Sequence, residues 1–264
     1  MPNIIRNKII LPSLRMKDVL KFCDKDGDKY NFNFNKLIPM PKSIMETPFD
    51  SIARNALDYY LTYLDPKCPY LGINIDGKNN IEEHARACSR VEVLKRYLDK
   101  LDVQYDIVRE SEVSNLEEYR GKDVLIKLGE QQVYNLETYH HLNWFDWAIE
   151  NWGTKWNAMN THIKDNYITF DTAWSVPMPI LIALSKELNC KIAVLSACEF
   201  MGQDTSYCLM NKGKIDYKGE FKDDSIDAWK LAMDIWDAED EYMYDAKEKR
   251  YVYKERIFKG KIKA

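Results

Sequence analysis

The chain has 264 residues, 45% hydrophobic, 30% charged and 12% aromatic, with a formal charge of −4 and a pI near 5.7. That composition excludes a disordered or collagen-like polymer and disfavours a protein whose main task is coating nucleic acid. No apolar run approaches the about 20 residues of a membrane span, and Met1 to Leu11 hold no secretory core, so the expected location is cytoplasmic, away from membranes. The six cysteines, Cys23, Cys68, Cys88, Cys190, Cys198 and Cys208, form no CxxC pair and read as reduced thiols.

Ile4, Ile5, Ile9, Ile10 and Leu11 predict a strand that Pro12 ends. Ser13 is placed to cap a helix carrying Leu14, Val19, Leu20 and Phe22. The run Asp24 to Asp28 lacks the length and terminal Glu of a calcium loop and reads as a polar turn. Leu37-Ile38-Pro39-Met40-Pro41 forces an extended backbone laid against a core. Phe49, Ile52, Ala53, Ala56, Leu57, Tyr60, Leu61 and Leu64 follow a helical stripe that Pro66 stops. A third helix opens with Asn80 and Glu83 as a capping box and runs to Leu101, its Arg86, Arg90 and Arg96 on a solvated face. Val103 to Val108 and Val124 to Leu128 read as short strands.

The segment Thr138 to Trp152 predicts one helix burying Leu142, Phe145, Ala148, Ile149 and Trp152, with Gly153 as its left-handed stop. His140, Trp144 and Trp147 fall on a flank of that stripe, and Asp146 and Glu150 on the wet side. Thr154 to Asn160 and Tyr167 to Thr172 read as two strands. Alternation puts Trp156 and Ala158 with Ile168 and Phe170 on one face, Trp156 reading as core, and gathers Lys155, Asn157 and Asp171 on the other, with Trp174 and Ser175 at its edge. A helix with Ile180, Leu181, Leu184 and Leu188 follows, then a strand over Cys190 to Ser196. Set apart from the insertion, the order is βαββαβ, the ferredoxin-like plan of an α+β protein, its strands in one antiparallel sheet with two helices on one face. The expected division is a core of 1–43 and 133–219, a mostly helical insertion over 44–132, and an extension over 220–264.

Phe145 to Ala158 (FDWAIENWGTKWNA), Phe170 to Pro177 (FDTAWSVP) and Leu37 to Pro41 (LIPMP) carry a resemblance. They resemble the blocks of the YubB-like ferredoxin-like family of phage and plasmid proteins. The resemblance covers roughly Met1–Met40 and Trp144–Ile215. It implies the ferredoxin-like fold and a mobile-element origin, hence the cytoplasm of a bacterial host, and no activity. Family members commonly carry an acidic cluster after the last core strand. Here only Glu199 and Asp204 stand there.

Glu220 to Ala246 holds ten acidic residues against Lys222 and Lys230, with Ile226, Trp229, Met233 and Trp236 as a helical stripe. Lys247 to Ala264 is basic, with Tyr251, Tyr253, Ile257, Phe258 and Ile262 interspersed as for short strands. Either the basic tail neutralises the acidic helix, or Asp234, Asp237 and Asp240 face a basic partner.

Candidate chemistry is sparse. His84 and Cys88 lie one helical turn apart, but no second ligand pair follows and Cys88 sits in an apolar stripe, so no metal is expected. No phosphate-cradling glycine loop, nucleophile elbow or Ser/His/Asp set is present, and no catalytic residue or cofactor is assigned. His141 reads as a core histidine, and Cys190, Cys198 and Cys208 as small hydrophobes. The candidate binding residues are Trp144, Trp147, Lys155, Asn157, Asp171, Trp174, Ser175, Asp234, Asp237 and Asp240. They point first to a non-enzymatic accessory protein that binds a host protein or protein–nucleic-acid complex, as a counter-defence inhibitor of the anti-CRISPR kind does. A nucleotide or nucleic-acid binder using aromatic stacking on the sheet is the alternative, and an enzyme using Lys155 and Asp171 the third reading.

Overall fold

The computed structural model describes residues 3–64 and 121–254. In chain order these form β1 (Ile4–Ile10), α1 (Met16–Val19) between two 3-10 turns, β2 (Cys23–Asp26), β3 (Lys29–Phe32), α2 (Lys42–Glu46) and α3 (Ser51–Leu64). Then come α4 (Lys122–Tyr139), α5 (Trp144–Asn151), β4 (Met159–Ile163), β5 (Tyr167–Ala173), α6 (Met178–Glu187) and β6 (Lys191–Cys198). β7 (Ser206–Asn211), β8 (Lys214–Glu220), α7 (Ile226–Trp236), β9 (Tyr242–Asp245) and β10 (Arg250–Tyr253) follow. The predicted helix over Asn80–Leu101, the strand Val103–Val108, and Cys68, His84 and Cys88 lie outside the described residues. Two units emerge, Met1–Pro39 with Ala148–Ala264, and Met40–Trp147.

In the first unit β1 is the centre of a six-stranded sheet ordered β4-β5-β1-β6-β7-β8. β1 runs antiparallel to both β5 and β6, so those two are parallel to each other, joined through α6 around the intervening strand. β4-β5-β1-β6 is the ferredoxin-like order; three of the four strands expected in one sheet share it as read, and the fourth place is taken by Met159–Ile163. β7 and β8 extend the sheet by a hairpin that the sequence reading did not include.

Strand alternation divides the sheet's faces. Ile5, Asn7 and Ile9 are buried on one side, against Ile168, Phe170 and Thr172 of β5 and Ile192, Val194 and Ser196 of β6. Phe32, Phe34, Trp152 and Phe170 add an aromatic cluster with ring centroids 5.1 to 5.8 Å apart. Asn7 is a fully buried amide at the centre of this face. Its Nδ2 donates to Thr172 Oγ1 at 2.9 Å and its Oδ1 accepts from Ser196 Oγ at 3.0 Å. Left without partners, such a group would cost about 1–3 kcal/mol, so the polar trio pins the register of three strands.

The other face carries Arg6, Lys8 and Ile10. The two helices expected on one face are those of the core; α7, from the C-terminal extension, packs on this other face, placing Ala232 and Ile235 on Ala197, with Leu195, Leu231 and Trp236 around them. The small side chain at Ala197 lets the helix approach. Ser225 caps α7 by accepting from the Ala228 N–H at 3.1 Å. The rest of the acidic stretch is not helical. Tyr242–Asp245 pairs with Arg250–Tyr253 as a hairpin, whose Tyr251 stacks on Trp229 of α7 at 5.5 Å.

The polar turn read at Asp24–Asp28 is the tip of the β2–β3 hairpin, closed by Gly27 at φ +57°. Two further readings are corrected in this unit. Thr154–Asn160 is not a strand: pairing starts only at Met159, because the side chains of Thr154 and Asn157 are committed to other segments. Trp156 is accordingly half-buried rather than a core residue.

In the second unit α3 and α4 pack closely at Gly129. A Cβ added at Gly129 would lie 2.3 Å from Tyr60 Cβ and 2.6 Å from the Ala56 carbonyl oxygen. The expected strand Val124–Leu128 lies inside α4, where Leu125, Gly129, Val133 and Leu136 face inward at helical spacing. Three- and four-residue steps sustained over an 18-residue element outweigh a short β-branched run. Asn135 is buried and donates to Thr47 Oγ1 and the Leu142 carbonyl at 2.8 and 3.1 Å.

The expected single helix Thr138–Trp152 is two helices. His140 ends α4 in the left-handed conformation at φ 64°, and Asn143 opens α5 by accepting from the N–H groups of Phe145 and Asp146. Breaking the helix re-phases the faces: Trp147 is 6% exposed, whereas Ile149 is 40% exposed. No helix among the described residues is long and apolar enough to cross a membrane.

Candidate functional site

Those parts of the three sequence blocks that lie in the first unit, residues 37–39, 148–158 and 170–177, meet at one corner of it. Gly153 takes φ +76°, and a Cβ there would lie 2.8 Å from Pro179 Cδ, so the chain turns tightly beneath the 172–179 segment. Just before it, the Trp152 indole N–H donates to the Ile38 carbonyl at 2.9 Å. Just after it, Thr154 Oγ1 donates to the Ala173 carbonyl at 2.7 Å. Ser175 Oγ donates back to the Gly153 carbonyl at 2.5 Å, and Thr172 Oγ1 to the Ser175 carbonyl at 2.8 Å.

These bonds hold Trp174 in an uncommon state. Its backbone has φ 69°, a region that bulky L-residues avoid, while its N–H donates to the Asn3 carbonyl at 2.8 Å. Its side chain is nonetheless 48% exposed. Lys155 Nζ lies 4.8 Å from the Trp174 ring centroid and 4.8 Å from that of Trp156. An ammonium between two indoles is an attractive arrangement, worth about 0.5–1 kcal/mol per ring at an exposed site.

Of the residues singled out from sequence, Lys155, Trp174 and Ser175 come together here. Trp156, read as core, joins them, and a lysine beside a tryptophan was the only sequence signal for it. Asn157 faces elsewhere: its Oδ1 accepts from the Phe34 N–H at 2.8 Å, and its Nδ2 donates to Asn33 Oδ1 at 2.8 Å. Asp171 is on the α7 face of the sheet, joined to Arg6 by two hydrogen bonds and accepting a third from Asn160 Nδ2 at 2.9 Å. The expected Lys155–Asn157–Asp171 cluster therefore does not form, because Thr154–Asn160 lacks strand alternation.

The tryptophan flank is likewise divided. Trp147 is buried, and Trp144 is half-buried, edge-on to Phe49 at 6.3 Å. Asp146, expected on a wet side, is partly buried, and that burial holds its carboxyl above the ordinary value despite the Asn143 amide and the nearby His141. On α7, Asp234 meets Lys8 of β1 at 2.8 Å, and Asp237 takes the left-handed C-cap position at φ 53°. Asp240 is exposed beyond the helix. Lys8 was not foreseen as the partner of the acidic helix, since nothing local in the sequence links positions 8 and 234.

Burial pushes the Cys23 thiol up to about 11, and also raises Cys190, Cys198 and Cys208, so these four free thiols stay protonated at neutral pH. Among the described residues, no group of three or more His, Cys, Asp or Glu side chains is placed to hold a metal.

Strand order, the split βαβ crossover and the corner it supports define an α+β protein with a ferredoxin-like domain and a helical insertion. A family model described as the ferredoxin-like domain in Api92-like protein matches residues 151–247. Among solved structures, the crystal structure of a protein api92 from Yersinia pseudotuberculosis is similar, at 12% identity and a TM-score of 0.33. That match covers 84% of this chain and 99% of that one. No curated protein matches.

Proposed function

We propose that this protein is a non-enzymatic accessory protein of a phage or plasmid that acts by binding a host macromolecule, and that Trp174 is the centre of its binding surface. The observation that carries this reading is the backbone of Trp174. A left-handed non-glycine residue costs roughly 1–2 kcal/mol, and such strain clusters where a side chain must be presented. Here four side-chain and backbone hydrogen bonds hold the corner while the indole stays half in solvent. Exposed, rigidly held tryptophans are favoured anchors of interfaces, and Lys155 with Trp156 enlarges the patch. The mobile-element origin rests on the resemblance of the three blocks that build the corner. The role proposed from that origin is inhibition of a host defence complex.

The experiment is affinity capture from a bacterial host lysate with the wild-type protein and with Trp174→Ala and Trp174→Gly. The wild type recovers a partner, and both variants lose it while melting within a few degrees of wild type, glycine being at home at φ 69°. A partner retained by Trp174→Ala would overturn the assignment.

A further inference from the structure

The register of the six-stranded sheet aligns one further feature. On the face that α7 shares, the Arg6 and Lys8 positions lie beneath that helix, through Trp236 at 4.0 Å and Asp234 at 2.8 Å. One step further along the strands, Tyr167, Ile10, Ala193, Leu209 and Tyr217 stand directly opposite one another on β5, β1, β6, β7 and β8. Five strands at about 4.8 Å spacing make this row about 19 Å long. None of the five is buried: four are half-buried and Tyr217 is 57% exposed.

The row ends in a tyrosine at each side, and Tyr207 adds a third ring, 5.7 Å from that of Tyr217. Tyr207 itself is committed to the sheet, lying over Gly219, where a Cβ would be 2.5 Å from its hydroxyl. Beyond the row the strands end in four loops tied in two pairs, Leu11 N–H to the Asn166 carbonyl and Lys212 N–H to the Cys190 carbonyl. This rim carries exposed Lys164, Lys191, Lys212 and Lys214 against Asp165 and Asp216, the last 3.9 Å from Lys191. The rim is thus positive in a chain whose net charge is negative.

We infer that this row binds single-stranded nucleic acid, its bases lying on Tyr167, Tyr217 and the apolar side chains between them and its phosphates meeting the lysine rim. Aromatic rings on an open sheet face stack bases of any sequence, and a flanking line of lysines supplies the phosphate contacts that give such binding its salt dependence. An amphipathic helix of a partner protein would fit the apolar row, but it would leave the lysine rim unexplained. The chain's overall acidity limits binding to this edge and fits a short strand rather than a coated polymer.

The test uses a fluorescently labelled single-stranded oligonucleotide of about 12 residues, in DNA and RNA forms, followed by anisotropy. With four phosphates neutralised, affinity falls roughly fifty-fold between about 50 and about 200 mM salt. Combined Tyr167→Ala and Tyr217→Ala lowers affinity at least about ten-fold at either salt. Combined Lys191→Glu, Lys212→Glu and Lys214→Glu weakens binding at low salt and flattens the salt dependence. Tyr217→Phe keeps the ring, folds as wild type and binds as wild type. Trp174→Ala leaves oligonucleotide binding unchanged, which separates this surface from the corner described above. Absence of binding at the lower salt, wild-type affinity in the lysine variant, or capture of a leucine-rich helical peptide in place of the oligonucleotide would overturn the inference.

Discussion

Arg6 and Asp171 stand at one register position of adjacent strands and are joined by two hydrogen bonds, from Arg6 Nε at 2.8 Å and from its terminal amino group at 3.1 Å. The Trp236 ring lies over the guanidinium at 4.0 Å, so the pair is roofed by α7, and the Asp171 side chain is only 3% exposed. This is a covered ion pair that welds α7 to the sheet. Arg6→Ala should leave a nearly buried carboxylate with Asn160 as its remaining side-chain partner among the described residues, and destabilise the first unit by about 3 kcal/mol. Thermal melting checks this, and Arg6→Lys should recover part of the loss, since an ammonium keeps the charge but not the two-pronged geometry.

Trp152 and Trp156, four residues apart, should respond unequally. Trp152 is 4% exposed, packs on Phe34 and donates to the Ile38 carbonyl, so Trp152→Ala should cost about 3–5 kcal/mol. Trp156 is half-buried and its ring meets the Lys155 ammonium at 4.8 Å, so Trp156→Ala should cost markedly less, about 1 kcal/mol. Chemical denaturation of the two variants in parallel measures the difference.

Gly129 marks the contact between α3 and α4. An alanine there is favoured by helix propensity by about 1 kcal/mol, yet its methyl would fall 2.3 Å from Tyr60 Cβ. Steric overlap of that size should dominate, because Cβ and backbone atoms on the facing helix have no rotamer through which to retreat. Gly129→Ala is expected to destabilise the second unit by about 1–3 kcal/mol. Hydrogen exchange of the α3 and α4 amides should show the loss locally, with the β1 and β6 amides unchanged.

Asp146 gives a pH-dependent test. Burial raises its carboxyl above the ordinary value of 3.8, so the folded chain holds the proton more tightly than the unfolded one. Its contribution is therefore most favourable below that value and is lost as pH rises through the raised one. Asp146→Asn keeps an acceptor for the Asn143 amide and removes the charge. The variant should melt above wild type at neutral pH, and the gap should close near about pH 3. A constant gap across that range would exclude desolvation of Asp146 as its cause.

The residues that the sequence places correctly are those whose signal is local. β1, β5, β6 and α3 follow from apolar alternation or helical stripes, and the βαββαβ order follows from their succession. The left-handed stop at Gly153 follows from the one residue type at ease there. Lys155, Trp174 and Ser175 were legible as a candidate set because they lie within two short blocks that a single turn brings together.

What the tertiary structure decided concerns contacts between distant positions. Asn157 caps the turn after β3, Asp171 belongs to Arg6, and Asp234 belongs to Lys8, across 226 residues of chain. No periodicity encodes such pairings, since each depends on which strands become neighbours. The break at His140–Asn143 is of the same kind. A continuous helix from Thr138 satisfies the local pattern, but Leu142 O is needed by the buried Asn135, and ending α4 early supplies it. Sustained periodicity marks most segments as helix or strand, whereas buried polar groups in need of partners fix where those segments stop and what they face.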